Sequence, residues 1–285
     1  MASQDIEGRE VLIADEAGAC YGVERALKMA KETAEKAEGP VHTLGPLIHN
    51  PVVVSELTEK GVTVVEDPAV GPKATLLLRT HGVTPEVEEA ARQSGAEVLD
   101  ATCPFVKKVH KAVERLDHEG YQVIIVGEQG HPEVEGTLGH APEALVVASA
   151  EDLDGVLIRH RVGVVVQTTM AKAVLDQVVN ALTDRADEVL VLNTICSATS
   201  KRQSAAATLA QEVELMLVIG GRSSANTTHL AQICSEVCAN THHIETAGEL
   251  DPSWFEGINR VGVTAGASTP RTQIDEVVTA VKQLG

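Results

Sequence analysis

Short runs of valine, isoleucine and leucine alternate along this chain with longer segments in which apolar residues recur at helical spacing. Residues 123–126 and 215–219 are two of the apolar runs, and residues 106–118 and 201–213 are two of the helical segments. Unbroken apolar runs of this length are typical of strands buried on both faces, and a helix between strands is the connection that a parallel pair requires. The pattern therefore predicts an α/β protein built on parallel sheets.

Most of the predicted strands end in a short loop of glycine and polar residues. Examples are residues 79–82 (RTHG), 127–131 (GEQGH) and 264–268 (TAGAS). Ligands of open parallel sheets bind beside the carboxyl ends of the strands. We therefore expect binding and catalytic residues in these loops.

Three of the five cysteines occupy the same local position. Cys20, Cys103 and Cys196 each close a short predicted strand or turn and open a predicted helix. Their separations correspond to about one small α/β unit each. We predict three such domains with one cysteine apiece: residues 11–98, joined by the C-terminal tail 268–285; residues 99–190; and residues 191–267.

The start of a helix is a favourable place for a metal-binding cysteine, because the helix dipole and unpaired backbone N–H groups stabilise a thiolate. Three converging thiolates suit an iron–sulfur cluster with one open iron, whereas a closed cluster or a zinc site prefers four ligands. Cys234 and Cys238 lie four residues apart in a predicted helix, and we interpret them as packing residues.

Charge and composition exclude several classes of protein. The net charge is −18 and only 2% of residues are aromatic, so the chain is a poor candidate for nucleic-acid binding. No apolar run reaches the ~20 residues needed to cross a bilayer, and no secretory signal is present. We expect a soluble, cytoplasmic protein. Residues 6–9 (IEGR) spell a protease-recognition sequence of cleavable tags, so the first nine residues are left out of the fold prediction.

Six motifs, taken together, resemble those of the 4-hydroxy-3-methylbut-2-enyl diphosphate reductase family. They occur in the family's order, within a similarity that runs from about Val11 to the C-terminus. The motifs are residues 100–110 (DATCPFVKKVH), 130–136 (GHPEVEG), 167–169 (QTT), 195–199 (ICSAT) with 202–203 (RQ), 223–226 (SSAN) and 262–268 (GVTAGAS).

The resemblance implies a fold, a cofactor and a reaction. The fold would be three α/β domains in pseudo-threefold arrangement around a 4Fe-4S cluster bound by Cys20, Cys103 and Cys196. The reaction would remove the substrate's hydroxyl with two electrons and two protons, giving isopentenyl and dimethylallyl diphosphates and water. Breaking an allylic C–O bond needs a Lewis acid, electrons and a proton, and the open iron would supply the first two.

The resemblance also assigns roles to individual residues. It implies that Glu133 is the proton source, that Thr168 relays toward the substrate hydroxyl, and that His131 stands between this relay and the diphosphate. The matching diphosphate-binding positions are His49, His81, Ser224, Asn226 and Ser268. Two positions depart from the usual pattern: Tyr21 follows the first cysteine, and Ala225 occupies a position where serine is common.

The residues alone leave other functions open. A three-cysteine cluster also suits a dehydratase that uses the iron as a Lewis acid without redox chemistry, and an iron–sulfur sensor could bind a phosphorylated ligand at the same loops. Electrons for a reductase must come from outside, because no dinucleotide-binding G-x-G-x-x-G motif lies between a predicted strand and helix. The family implies ferredoxin or flavodoxin as the donor, and a chain this acidic needs a local basic patch to receive an acidic protein.

Overall fold

The computed structural model describes residues 2–6 and 9–284. In chain order its strands are β1 (Ala2–Ile6), β2 (Arg9–Ile13), β3 (Val41–Leu44), β4 (Val62–Val65), β5 (Thr75–Leu78), β6 (Glu97–Asp100), β7 (Gln122–Val126), β8 (Leu145–Val147), β9 (Arg161–Val166), β10 (Glu188–Leu192), β11 (Leu215–Ile219), β12 (Thr241–Ile244) and β13 (Arg260–Ala265). The helices are α1 (Tyr21–Lys36), α2 (Pro51–Glu59), α3 (Pro85–Gln93), α4 (Pro104–His118), α5 (Pro132–Leu138), α6 (Lys172–Thr183), α7 (Ser197–Ala210), α8 (Ala225–Val237) and α9 (Arg271–Gln283).

The strands form three sheets, each with its own hydrophobic core. Their strand orders are β1-β2-β13-β11-β12, β10-β9-β7-β8 and β4-β3-β5-β6. Every pairing is parallel except that of β1 with β2, which is antiparallel. The prediction of three parallel-sheet α/β domains is confirmed, with one antiparallel edge strand added.

One compact unit comprises the N-terminal segment up to Tyr21, residues 49–53 and the chain from Ser197 onward. It contains the five-stranded sheet, whose central strand β13 pairs with β2 on one side and β11 on the other. All five residues of β11 are buried, and α9 covers this core with Ile274, Val277 and Val281. Burial on both faces explains why β11 is an unbroken apolar run.

The second compact unit comprises residues 22–48 and 54–196. It contains both four-stranded sheets. The central strands are β3 and β5 in one sheet, and β7 and β9 in the other. Strands β5 and β9 are almost fully buried, and α4 lays its apolar residues Val109, Val113 and Leu116 against the β7–β9 sheet. The central strands of these sheets end at the loops that carry the candidate site residues.

The assignment of β2 to the first domain is wrong. We predicted that residues 11–98 would form one domain, but β2 pairs with β13 in the five-stranded sheet and not with β3 to β6. An apolar run identifies a strand but not its partner, and strands that follow each other in sequence are neighbours in only about two-thirds of cases. The C-terminal tail 268–285, which we predicted to join the first domain, likewise packs on the five-stranded sheet through α9. The boundaries 11–98, 99–190 and 191–267 otherwise stay a prediction.

Two remaining expectations concern the N-terminus and membranes. Residues 2–6, which we left out of the fold prediction, pair with β2 as an edge strand, while Glu7 and Gly8 of the tag-like sequence lie outside the described residues. None of the helices in the described part of the chain combines the length and the apolar character that a membrane span requires.

Candidate active site

A buried carboxyl group lies at the centre of the candidate site in the second unit. Glu133 is in the first turn of α5 and is only 3% exposed. The backbone N–H of Thr168 donates to its Oε1 over 2.7 Å, and the Thr168 hydroxyl donates to its Oε2 over 2.8 Å. Thr168 lies two residues beyond the end of β9, so the loop after this strand and the start of α5 together hold the carboxyl group.

Burial controls the ionisation of Glu133. Removal from water raises the pKa of this carboxyl to about 7, and the two hydrogen bonds from Thr168 oppose the rise because they stabilise the ionised form. Near neutral pH the group can therefore both hold and release a proton, which is the property a general acid needs.

Two histidines lie close to each other at the start of the helix that carries Glu133. His131 is the N-cap of α5, and its Nδ1 accepts the backbone N–H of Glu133 over 3.1 Å. The acceptor role of Nδ1 assigns the proton of the neutral ring to Nε2. The ring of His81 meets that of His131 edge to face, with 5.7 Å between centroids. The structure thus links Thr168 to the Glu133 carboxyl, His131 to the Glu133 backbone and His81 to His131; their roles in the site stay a prediction.

Gln167 is a site residue that the sequence prediction missed. It is 1% exposed, accepts the backbone N–H of Glu128 over 2.9 Å and donates to the Thr169 hydroxyl over 3.0 Å. The first of these bonds ties the loop after β7 to the loop after β9, and both fix the position of Thr168. A glutamine directly after a run of buried valines was the available signal, since a polar side chain there must find partners.

Two of the candidate ligand cysteines are anchored beside these loops. The backbone N–H of Cys196 donates to the Thr168 carbonyl over 3.0 Å, and that of Cys103 donates to the Thr80 carbonyl over 3.0 Å. The backbone therefore connects Cys196 to Thr168, which binds the Glu133 carboxyl. It connects Cys103 to Thr80, which directly precedes His81. Both thiols belong to half-buried residues.

Cys20 belongs to the other unit. Its backbone N–H donates to the Ala267 carbonyl over 3.1 Å, in the loop that follows β13. The buried Arg202 donates to the Gly18 carbonyl over 2.8 Å and thereby fixes the turn before Cys20. The role of Arg202 in holding this loop was not predicted.

The five cysteines fall into two classes. Cys20, Cys103 and Cys196 each stand directly before a helix and are half-buried, so their donor chemistry fits metal binding at helix N-termini. Cys234 and Cys238 are buried within the α8 packing, and burial raises the pKa of the Cys234 thiol to about 12. The expectation that this second pair packs in the core is confirmed.

Within the described residues, no three His, Cys, Asp or Glu side chains are grouped closely enough to hold a single metal ion. Cys20, Cys103 and Cys196 remain the candidate ligands, because their thiols have the donor chemistry that an iron–sulfur cluster would require.

The five-stranded unit carries polar side chains suited to an anion. Ser224 is the N-cap of α8 and accepts the Thr227 N–H over 3.4 Å. Asn226, in the first turn, is 5% exposed, and its Nδ2 has no hydrogen-bond partner among the described residues. A buried amide donor without a partner is costly, so this group is prepared for a ligand that would accept its hydrogen bond.

Ser268 and His49 are held together in the same unit. The Ser268 hydroxyl donates to the His49 carbonyl over 3.1 Å. Asn50 bonds the Ser268 carbonyl over 2.9 Å through Nδ2, and its Oδ1 accepts the backbone N–H groups of Val52 and Val53 as the N-cap of α2. Sequence reasoning missed Asn50, although an Asn-Pro pair before a helical segment is a recognisable capping signal.

Comparisons with known proteins give a consistent result. A family model described as LytB protein matches residues 11–282. The 4-hydroxy-3-methylbut-2-enyl diphosphate reductase of Geobacter sulfurreducens is 50% identical over 276 residues, which cover 96% of this chain and 97% of that protein.

Two solved structures have the same fold. One is described as (E)-4-hydroxy-3-methyl-but-2-enyl diphosphate reductase, the terminal enzyme of the non-mevalonate pathway; it is 46% identical, covers 96% of this chain and 99% of its own, and has a TM-score of 0.73. The other, the E-1-hydroxy-2-methyl-but-2-enyl-4-diphosphate reductase of Plasmodium falciparum, is 27% identical with a TM-score of 0.91 and covers 96% and 88%. The resemblance inferred from the six motifs is thereby confirmed, and the chain belongs to the LytB family.

Proposed function

We propose that this chain is a 4-hydroxy-3-methylbut-2-enyl diphosphate reductase. It cleaves the allylic C–O bond of its substrate, and two electrons and two protons convert the substrate into isopentenyl or dimethylallyl diphosphate and one water. Similarity to enzymes of this name over almost the whole chain supports the reaction. The observation that carries the proposal is the buried Glu133–Thr168 pair, which supplies the proton donor that the reaction needs.

A 4Fe-4S cluster with three cysteine ligands and one open iron is the proposed cofactor. Cys20, Cys103 and Cys196 would hold it, and their shared position before a helix supports this choice over the two cysteines buried in the α8 packing. When bound, such a cluster supplies electrons and a Lewis-acidic site for the leaving hydroxyl.

Glu133 and Thr168 would act as the proton-delivering pair. While Glu133 is ionised, the Thr168 hydroxyl donates to its Oε2. Once Glu133 is protonated, its own O–H can donate to Oγ1 of Thr168, and the threonine hydroxyl is then able to donate to a substrate oxygen. The pair can therefore pass a proton toward the leaving hydroxyl without moving either side chain far.

The proposed diphosphate ligands are Ser224, Asn226, Ser268, His49, His81 and His131. The unpartnered Nδ2 of Asn226 supports this role directly, and Ser224 lies at the start of α8, where backbone N–H groups favour an anion. The imidazole N–H groups of the histidines would add further donors, with His131 presenting Nε2 because its Nδ1 is occupied by the Glu133 N–H.

The electrons would come from a separate redox protein, and we propose ferredoxin or flavodoxin. The sequence offers no dinucleotide-binding motif in the required strand and helix context. A one-electron carrier would suit such a cluster, because iron–sulfur clusters exchange electrons singly.

An anaerobic turnover assay tests the proposed function. The reconstituted enzyme, supplied with the allylic substrate and reduced methyl viologen, should form both diphosphate products, and omission of the reductant should abolish the reaction. Conversion without a reductant would instead support a non-redox dehydratase. Binding of the substrate without any product would support a sensor and contradict the proposal.

A further inference from the structure

The acidity of the chain restricts where an acidic protein can approach it. Asp and Glu number 41 against 23 Lys and Arg, a net charge of −18. The summed field of such a surface repels acidic partners over about a Debye length, roughly 8–10 Å in physiological salt. An acidic electron carrier would therefore need a local group of exposed cations to dock productively.

Helix α4 carries such a group directly after Cys103. Its exposed cations are Lys107, Lys108, Lys111 and Arg115, which we call the α4 cationic face. Lys108, Lys111 and Arg115 follow one another at spacings of three and four residues, and Lys107 lies four residues before Lys111, so these side chains share one side of the helix. The first carboxylate on the helix after Cys103 is Glu114, so the first two and a half turns of the helix itself carry basic and no acidic side chains. Beside the helix, Glu88 and Asp100 line a cavity together with Lys107 and Lys111, which leaves Lys108 as the cation outside that cavity nearest the start of the helix.

The opposite side of α4 fixes the orientation of this face. Val109, Val113 and Leu116 are buried against the β7–β9 sheet, so the helix cannot turn its lysines inward. Cys103 is the N-cap, and its carbonyl accepts the backbone N–H of Lys107 over 3.0 Å. The cationic face therefore begins within about one helical turn of a proposed cluster ligand.

Two of the four cations are available for an intermolecular contact. Lys107 pairs with Asp100 and Arg115 pairs with Glu119. Within the described part of the chain, neither Lys108 nor Lys111 has a carboxylate at ion-pair distance. Lys108 instead lies over the Phe105 ring, 5.0 Å from its centroid, which holds its ammonium group near the start of the helix.

We propose that the α4 cationic face is the docking surface for an acidic electron-carrier protein. The proposal rests on the proposed function, because only a reductase needs such a donor. Complementary charge would raise the association rate and orient the carrier toward the end of α4 that begins at Cys103. Lys108 and Lys111 contribute most, since docking breaks no existing ion pair of theirs.

The test uses the reconstituted holoenzyme and a purified acidic ferredoxin. The variant Lys108→Glu/Lys111→Glu reverses the two unpaired charges. The control Lys31→Glu/Lys60→Glu makes the same change in net charge at two exposed lysines of the same compact unit. A third variant, Lys108→Gln/Lys111→Gln, removes the charges without introducing repulsion.

The expected result has a kinetic part and a binding part. At low ionic strength the Glu double variant should lower kcat/KM for reduced ferredoxin by about tenfold or more, and the Gln variant by less. Turnover with reduced methyl viologen should stay within about twofold of wild type in each case, as should ferredoxin-driven turnover of the control. Calorimetric titration with ferredoxin should show the same order of affinities, converging at high salt.

Several outcomes would overturn the proposal. One is that the α4 variants keep wild-type kinetics with ferredoxin and wild-type affinity for it. Another is that the control variant loses as much ferredoxin-driven turnover as the α4 variants do. A third is that the α4 variants lose as much turnover with viologen as with ferredoxin, which would indicate damage to the enzyme itself. Wild-type turnover with viologen but not with ferredoxin would exclude the acidic partner. Absence of wild-type turnover with viologen would refute the proposed function instead, so the two failures are distinguishable.

Discussion

Replacement of Glu133 by glutamine should change how the stability of the protein depends on pH. The substitution keeps the shape of the side chain, and Oε1 of glutamine can still accept the Thr168 N–H. In the wild type the Thr168 hydroxyl donates to Oε2 of Glu133, and in the variant the glutamine NH₂ group can donate to that hydroxyl instead. The variant therefore loses the ionisable group while keeping both contacts.

The size of the effect follows from the perturbed ionisation of this carboxyl. Burial raises the pKa of Glu133 from 4.5 to about 7, and a tenfold change in a proton-binding constant corresponds to about 1.4 kcal/mol. Between pH 4.5 and 7 the folded protein binds more protons than the unfolded chain, so the free energy of unfolding falls as pH rises. The wild type should lose about 3 kcal/mol across this window, and the loss should level off above the pKa of the folded protein.

Calorimetric melting curves of wild type and Glu133→Gln between about pH 5 and 8.5 measure this difference. The variant should gain several degrees in Tm relative to wild type as pH rises, and it should lose most turnover while retaining the cluster absorbance. Glu135→Gln is the matched control, because Glu135 is an exposed carboxylate on the same helix. A Tm difference independent of pH, or full activity in Glu133→Gln, would refute the reasoning.

Three further substitutions, one of them compared with a matched control, test neighbouring residues. Thr168→Val removes the proposed relay hydroxyl and also a hydrogen bond that stabilises ionised Glu133. Turnover should therefore fall, the pKa of that carboxyl should rise further, and the pH profile of the residual kcat should extend to higher pH; full turnover or an unshifted profile would contradict these roles. His81→Ala should raise KM more than it lowers kcat, as measured by steady-state kinetics, and an unchanged KM would contradict its diphosphate role. Gly82 has φ +77, and a methyl group at this position would lie 2.6 Å from the ring of His110, so Gly82→Ala should lower the free energy of unfolding by about 2 kcal/mol or more. Its control is Gly120→Ala, because Gly120 has φ +78 and nothing within 4 Å of the added methyl group. This control should cost about 1 kcal/mol in thermal unfolding.

The repeating elements of the fold could be predicted because they depend on local pattern. Residues 215–219 form an unbroken apolar run, and such a run between helical segments has few alternatives to a buried parallel strand. The partner of β2 could not be predicted in the same way. Val11 and Leu12 mark a buried strand, but nothing in their pattern selects β13, which lies near the other end of the chain.

The candidate site was predictable to a similar extent. The position of each cysteine before a helix was visible in the sequence, because strand and helix patterns meet there. The burial of Glu133 was not visible, since a glutamate after His-Pro is ordinarily exposed and becomes buried only when the loop after β9 covers it. Gln167 and Asn50 were missed because their importance lies in backbone contacts with other segments.

We propose above all that Cys20, Cys103 and Cys196 bind one iron–sulfur cluster. Anaerobic reconstitution followed by iron and sulfide analysis and Mössbauer spectroscopy tests it most directly, with Cys103→Ser compared against Cys238→Ala. Wild type and Cys238→Ala should each bind a 4Fe-4S cluster with one distinct iron site, and Cys103→Ser should lose most of it. A wild-type spectrum in Cys103→Ser, or a zinc-loaded protein without bound iron, would contradict the account.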